Sequence, residues 1–557
     1  MSPLLLRKVS RKISQTANES FLLANNDVYK RILKMLHAKD VEKDAEAILN
    51  GISQAAHVAE RFFTGRFADG AIENVALEIG QRLESIGVEA DINQTPNRRV
   101  DSRRQILHVV SVVAFGGHMP FLYHWMQNDP ASCHSIVLLN HRGSLPDRLT
   151  EAVAKQGGKL TVIPVNSSFM SRANSLRQLA KQEADLVLWH VICPDVLPVV
   201  AFATDQCPPV ALIDHADHLF WLGSTVADIV VNLRLAGAKH SSRRRFAART
   251  AVIPIPLRDR HANVSRDKAR QKLGIEKNQV VLLSVGRALK YRPCGRYDFV
   301  ATAGQILDHD PDAHLYVIGE TPDGIKPYLR CAPHNRLHFM GSAKDPSLYL
   351  AAADIYLESF PYGSQTALLE AGLAGLPIVP AYAPLFPLLV ANDDSLLDIL
   401  PNPKNEQEYI SNAAELIRNP SLRHARGKVL RDRILADHVG ENWQKRLAEL
   451  YKVTGALEHN PRPIPVSECT RENAGLSQWD AVADVHTSGT FVESDFESAV
   501  FSHKAFVAKY VGDYETARRF AWRAVLRSPS RWIFWRLFVI AMLGKPARSL
   551  RQCLRRA

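Results

Sequence analysis

The chain has 557 residues, 46% of them hydrophobic, and a formal net charge of +12. That length excludes a single ordinary core and predicts two to four domains, and the apolar share excludes global disorder. The charge favours anionic partners, but no nucleic-acid module is visible and no nucleic-acid partner is expected. The basic excess sits in short clusters, such as Arg243, Arg244 and Arg245, and Arg548, Arg551, Arg555 and Arg556. Seven cysteines lie scattered singly from Cys133 to Cys553, without zinc-ligand spacing or a disulfide framework, which favours a reducing, cytoplasmic setting. The N-terminus lacks the continuous apolar core of a secretory signal. The longest apolar run, Ile533 to Leu543, is interrupted by Arg536 and too short to span a bilayer. A soluble protein, or one peripheral to the inner face of a membrane, is expected.

In chain order, residues 1–100 read as helical, with apolar residues at three- and four-residue steps over Val28–Leu49 and Ile72–Ile86 around the turn-rich FFTGRFADG. From residue 101 to 255 short apolar runs alternate with helical stretches: ILHVVSVVA (106–114), SIVLL (135–139), LTVIPV (160–165), ADLVLWH (184–190), PVALIDH (209–215) and DIVVNL (228–233). Runs of this kind suit a parallel sheet covered on both faces. A second such series fills 256–455, with strands expected at VVLLSVG (280–286), HLYVIG (314–319), RLHFMG (336–341), ADIYLES (353–359) and PIVPA (377–381). The pattern predicts an α/β protein of two doubly wound domains facing a cleft, with helical additions at both ends. Glu441–Val453 reads as an amphipathic helix able to return across the pair. Residues 456–498 read as a linker. In 499–557, Gly512, Asp513, Tyr514, Ala517, Phe520, Ala524 and Pro529 have the spacing of one tetratricopeptide-like hairpin.

Two features of the second series suit a nucleoside diphosphate. In SVGRALKYRP, Gly286 follows a strand, and Arg287, Lys290 and Arg292 project from the loop at its carboxyl end, where open α/β sheets bind ligands. In LESFPYGSQTALLEAGLAGLPIV (357–379), a strand and a Pro-Tyr-Gly turn lead into a helix. Ser364, Gln365 and Thr366 then occupy a helix N-terminus, whose free N–H groups and hydroxyls can hold phosphate oxygens. Glu370 lies one to two turns further on, where a carboxylate can accept both ribose hydroxyls. The bland alternatives are a solvated basic loop and an N-capped helix with a chance glutamate.

On these residues the span from about 106 to 455 resembles a GT-B glycosyltransferase. The junction DKARQKLGIEKNQVVLLSVGR is similar to the start of that family's donor-binding domain. FPYGSQTALLEAGLAGLPIV resembles its donor signature, nearest to the branch of intracellular protein O-GlcNAc and bacterial adhesin N-glucosyl transferases. The resemblance implies diphosphate contacts at Lys290 and Arg287, phosphate contacts at Ser364, Gln365 and Thr366, and a ribose-binding acid at Glu370. It also implies a base-flanking loop at Phe339, Met340 and Gly341. A nucleotide-sugar donor, UDP-sugar favoured, is implied with no metal and no further cofactor. Many retaining members carry a glutamate eight residues before the position of Glu370; here that residue is Tyr362, and Glu358 is displaced, so the stereochemistry stays open.

On the acceptor side, Gly116 and Gly117 follow the first strand and permit close approach of a ligand to the backbone, with His118 opening a helix. GT-B enzymes often carry a glycine-rich loop there; an ordinary strand–helix turn is the alternative. IDHADHLFWLG (213–223) brings His215, Asp217 and His218 together beside Phe220 and Trp221. An attacking hydroxyl needs a proton acceptor, and any of these three, or His118, is a candidate. A buried structural His–Asp pair is one alternative, and a divalent-metal site at Asp214, His215 and His218 is another.

The function expected is transfer of a hexose or N-acetylhexosamine to a protein, lipid-linked or polysaccharide acceptor. The C-terminal hairpin favours a protein acceptor, since helical repeats grip extended polypeptides. The basic, apolar C-terminal segment would also suit peripheral contact with an anionic membrane. A sugar-nucleotide 2-epimerase and a non-catalytic nucleotide-sugar-binding scaffold are the alternatives.

Overall fold

A computed structural model describes residues 22–85, 102–113, 118–259, 264–382, 396–468 and 501–543. Positions 24, 294–296, 331, 344, 397, 502–503, 506–507, 510–511, 528 and 530–531 are excepted. Among the described residues, twelve strands form two wholly parallel sheets, as the two apolar-run series predict. The first has order β3-β2-β1-β4-β5-β6-β7, from β1 (Arg104–Val110), β2 (Ser132–Leu138), β3 (Leu160–Val162), β4 (Leu186–His190), β5 (Val210–Asp214), β6 (Ile229–Asn232) and β7 (Thr250–Val252). The second has order β10-β9-β8-β11-β12, from β8 (Val280–Val285), β9 (Ala313–Ile318), β10 (Leu337–Phe339), β11 (Ile355–Leu357) and β12 (Ile378–Val379). Strand order reverses beside β1 and β8, so each sheet opens a crevice at its carboxyl edge, between β1 and β4 and between β8 and β11. This is the GT-B arrangement.

The sheets share a core. Ile106, Trp125, Leu188 and Ile213 of the first half cluster with Leu283, Tyr356 and Leu368 of the second, through Ile253, Ile255 and Leu257 of the connection. The helix Gly440–Thr454 crosses back, as its amphipathic pattern predicts. Its Trp443 donates from Nε1 to the Pro254 carbonyl (2.7 Å), and its Tyr451 hydroxyl donates to Asp129 Oδ2 (2.7 Å). Burying Trp443 and Tyr451 against the first half fixes the two halves relative to each other.

The N-terminal helices differ from expectation in one place. Helix is continuous over 25–37 and over Ala45–Arg61, but breaks between them, because Asp40 Oδ1 accepts the N–H groups of Glu42 (2.9 Å) and Lys43 (3.3 Å). A local side chain to backbone turn thus replaces helix. The next helix, Gly70–Gln81, is capped by Asp69, whose side chain accepts from the Ala71 N–H (3.0 Å). Its Glu73 is wholly buried, and Oε2 accepts the N–H groups of Gly223 (3.0 Å) and Thr225 (3.1 Å), tying this helix to the segment after β5.

Burial raises the Glu73 carboxyl to about 7 against the three hydrogen bonds that lower it. A folded-state value above the unfolded one means that stability from this group is full below about 4.5 and lost as pH rises through 7. Relative to Glu73→Gln, the wild-type melting temperature should fall between pH 5 and pH 8; a constant difference across that range would refute the burial argument.

Residues 458–467, read as the start of a linker, are a docked strap. His459 Nδ1 meets Asp228 Oδ2 (2.7 Å), the Arg462 N–H donates to the Thr225 carbonyl (2.8 Å), and Asn74 exchanges two hydrogen bonds with Ile464 (2.9 Å each). Polar partners on the N-terminal helices and the first domain hold a composition that reads as unstructured. The rest of the expected linker, 469–498, lies outside the described residues. At the C-terminal end, helices Tyr514–Arg527 and Trp532–Leu543 pack together through Ala517, Phe520, Ala524 and Phe534, and the first leans on helix 25–37 through Arg31 with Asp513 (3.6 Å) and Thr516. Among the described residues no helix is long and apolar enough to cross a membrane.

Candidate active site

One half of the candidate site is built on the crevice between β8 and β11. After β8, the tight turn Ala288–Tyr291 is pinned by buried Tyr291, whose hydroxyl reaches Ser284 Oγ and the Ile318 carbonyl (3.4 Å each). That anchor turns Lys290 toward the helix Gln365–Leu373, where its Nζ donates to the Gly363 carbonyl and to Ser364 Oγ (2.9 Å). Ser364 stands at the cap position of that helix but makes no cap bond from its side chain. Gln365 Nε2 is buried there without a partner. A lysine, a hydroxyl and a helix N-terminus thus converge, the combination that binds phosphate.

Glycines keep this floor low. A Cβ on Gly286 would stand 3.0 Å from Ser364 Oγ and 3.3 Å from Lys290 Cδ. Gly319 (φ 107°) and Gly341 (φ 71°) follow β9 and β10 in left-handed conformations, and Gly319 N–H donates to the Gly341 carbonyl (2.7 Å). Phe339 is half-buried beside them and Met340 is exposed at 43%. Arg287 is exposed, while Thr366 and Glu370 are half-buried on the helix Gln365–Leu373. Burial, then Arg287, lowers Lys290 to about 8, with Glu358 opposing. Glu358 is wholly buried, and its Oε2 accepts the Ala381 N–H (2.8 Å).

The facing half comes from the first sheet. His118 opens the helix His118–Asn128; Gly116 and Gly117 lie outside the described residues. The His118 ring stacks on His215 at 4.3 Å between centroids. Burial, then Arg287 of the opposite half, holds His118 down to about 4. His218 and Tyr362 approach across the cleft, with centroids 6.4 Å apart. The position that breaks the retaining pattern is therefore a cleft-wall aromatic.

Asp217 is committed to Arg234, which donates to Oδ2 from Nε (2.8 Å) and to Oδ1 from Nη2 (3.3 Å). Burial opposes ionisation, but Arg234 and the neighbouring His218, 3.6 Å away, outweigh it and hold Asp217 well below the usual carboxylate range. Asp214 points inward to the Trp221 Nε1–H (3.1 Å) and Arg245, and His215 Nε2 is taken by His190 Nδ1 (3.0 Å). Among the described residues no three His, Cys, Asp or Glu side chains group to hold a metal ion.

Sequence reasoning missed three contributors. Arg245, counted there only as part of a short basic cluster, is wholly buried and donates to the carbonyls of Phe67 (2.7 Å), Asp217 (2.8 Å) and Leu219 (2.7 Å), shaping the candidate loop. Arg234 and His190 were equally unread; a cation 17 residues beyond Asp217 was the available signal for the first.

Residues 279–419 match the family model of the group 1 glycosyl transferases. That span encloses Gly286 to Lys290 and Ser364 to Glu370, the two elements that converge at Lys290. A curated relative, D-inositol 3-phosphate glycosyltransferase of Corynebacterium aurimucosum, is 24% identical over 229 residues, 39% of this chain and 44% of the relative. The chain therefore spans less than half the length of that relative. Among solved structures, HepE of Anabaena in complex with UDP and glucose is similar over 63% of this chain and 100% of its own (16% identity, TM-score 0.49). An O-GlcNAc transferase of Thermobaculum terrenum is similar over 78% and 82% (16% identity, TM-score 0.44).

Proposed function

We propose that the chain is a glycosyltransferase that moves a hexose or N-acetylhexosamine from a nucleoside diphosphate sugar, without a metal ion. The observation that carries this reading is Lys290 set over Ser364 and the N-terminus of the helix Gln365–Leu373, inside the segment matching group 1 glycosyl transferases. In the transfer the bond between sugar and diphosphate breaks and charge develops on the leaving diphosphate. Lys290, Arg287, the Ser364 and Thr366 hydroxyls and the helix N–H groups are preorganised to meet that charge. Gln365, a buried donor lacking a partner, gains one when phosphate binds. The cleft wall at Phe339, Met340 and Gly341 takes the base, and Glu370 the ribose.

The acceptor is read as a polypeptide gripped by the C-terminal hairpin, which we take as tetratricopeptide-like, in keeping with the branch of protein O-GlcNAc and adhesin N-glucosyl transferases. Its exposed Trp522, Leu526, Trp535, Val539 and Met542 offer apolar area to such a chain.

Purified protein incubated with UDP-, GDP- and dTDP-sugars should release free nucleotide slowly, and a UDP-sugar should be the best donor. Conversion to an isomeric sugar nucleotide would point to an epimerase, and binding without turnover even with cell lysate to a scaffold. Glu370→Ala should weaken UDP binding by about 10- to 100-fold, the worth of a hydrogen bond to a charged group. Calorimetry that finds unchanged affinity removes Glu370 from the ribose site.

A further inference from the structure

Four histidines cross the first sheet in an unbroken file toward the cleft. His134 lies on β2, His108 on β1, His190 on β4 and His215 just beyond β5, and these strands are neighbours in that order. Ile106 pairs with His134, Leu188 with His108, and Ile213 with His190, so each histidine sits two residues further along than its neighbour's partner. A step of two keeps all four side chains on one face of the sheet. The rings join head to tail: His134 Nδ1 to His108 Nε2 (2.9 Å), His108 Nδ1 to His190 Nε2 (3.0 Å), and His190 Nδ1 to His215 Nε2 (3.0 Å). His134, His108 and His190 are buried at 0%, 0% and 3% exposure, whereas His215 is half-buried where the file meets the cleft.

The far end gives the file a direction. His134 Nε2 lies 3.2 Å from the Asp129 carbonyl oxygen and 3.2 Å from Asp129 Oδ2. A carbonyl oxygen only accepts, so Nε2 carries the proton. With one N–H per ring, His134 Nδ1 then accepts from His108 Nε2–H, His108 Nδ1 from His190 Nε2–H, and His190 Nδ1 from His215 Nε2–H. The bare nitrogen at the cleft end is His215 Nδ1. Burial, then the neighbouring His118 and His190, keeps His215 neutral.

We infer that His215 is the general base of the transfer and that His190, His108 and His134 are positioning residues that fix its tautomer from Asp129; the inference rests on the transferase reading above. In the step, the acceptor O–H bond breaks and its proton goes to His215 Nδ1. The acceptor oxygen bonds to the anomeric carbon, and the electron pair of the old bond leaves with the diphosphate. The imidazolium so formed returns its proton to solvent at the cleft. Asp217, held by Arg234, is the weaker acceptor.

The test uses the full chain labelled with 15N-histidine at pH 8, with long-range 1H–15N correlations assigned by the signals lost in His215→Asn. His215 should be neutral with its proton on Nε2. His108→Leu breaks the file and should lower kcat for UDP release from a UDP-sugar by about 10- to 100-fold, with UDP affinity unchanged. His108→Gln can still donate to His134 Nδ1 and accept from His190 Nε2–H, and should restore most of that loss. A wild-type His215 protonated on Nδ1, full turnover in His108→Leu, or a folded, UDP-binding His108→Gln as slow as the leucine variant would each overturn the assignment. A wild type with the expected tautomer and UDP binding that turns over no nucleoside diphosphate sugar would instead sink the transferase reading.

Discussion

Lys290→Ala should lower turnover of the donor sugar by at least about 100-fold, the usual cost of losing one preorganised donor to developing charge. The lysine joins the loop after β8 to the start of the helix after β11, through Gly363 and Ser364. Because it lies half-buried in the cleft and outside the core clusters, the melting temperature should move by only a few degrees. Its lowered pKa of about 8 adds a second signature. A bound diphosphate favours the charged form and raises that value, so UDP binding near pH 8 should take up protons, visible as a buffer-dependent calorimetric enthalpy. Affinity should decline as pH rises above 8, because the neutral lysine must then be protonated before it can pair. The alanine variant should lose both the proton uptake and that decline. Near-normal turnover in Lys290→Ala would move the phosphate site elsewhere.

The elements of the candidate phosphate site were legible because they are local. Strand, turn, cap and acid lie within the single unit from Leu357 to Val379, and buried parallel strands announce themselves as apolar runs. The facing half of the cleft was only half legible. His215, Asp217 and His218 stand out in sequence, but their different commitments depend on Arg234 and on β4, both distant along the chain. His108 and His190 each stand as a polar residue in a mainly apolar run that gives no sign of a partner. Their alignment follows from strand order and register, which composition does not encode. Residues 38–44 show the reverse failure. Helical periodicity persists there, but a local Asp40 turn outcompetes it.

Arg245→Met should destabilise the first domain by about 3–5 kcal/mol, the range for breaking a buried charge network by removing one partner. Three carbonyls, of Phe67, Asp217 and Leu219, would lose their donor, and buried Asp214 would lose the cation 3.8 Å away. The guanidinium also lies over the Trp221 ring, 4.3 Å from its centroid, so packing is lost together with charge. Lysine should not rescue it, since an ammonium cannot reproduce a planar fork that reaches carbonyls on two separate segments. The damage should be local. Hydrogen exchange in residues 214–222 should speed up strongly, while β8 to β12 keep their protection and UDP still binds. Turnover should fall with the loop, because His215 and His218 both hang from it. If exchange in 214–222 is unchanged in Arg245→Met, the guanidinium is not what holds the candidate base in place.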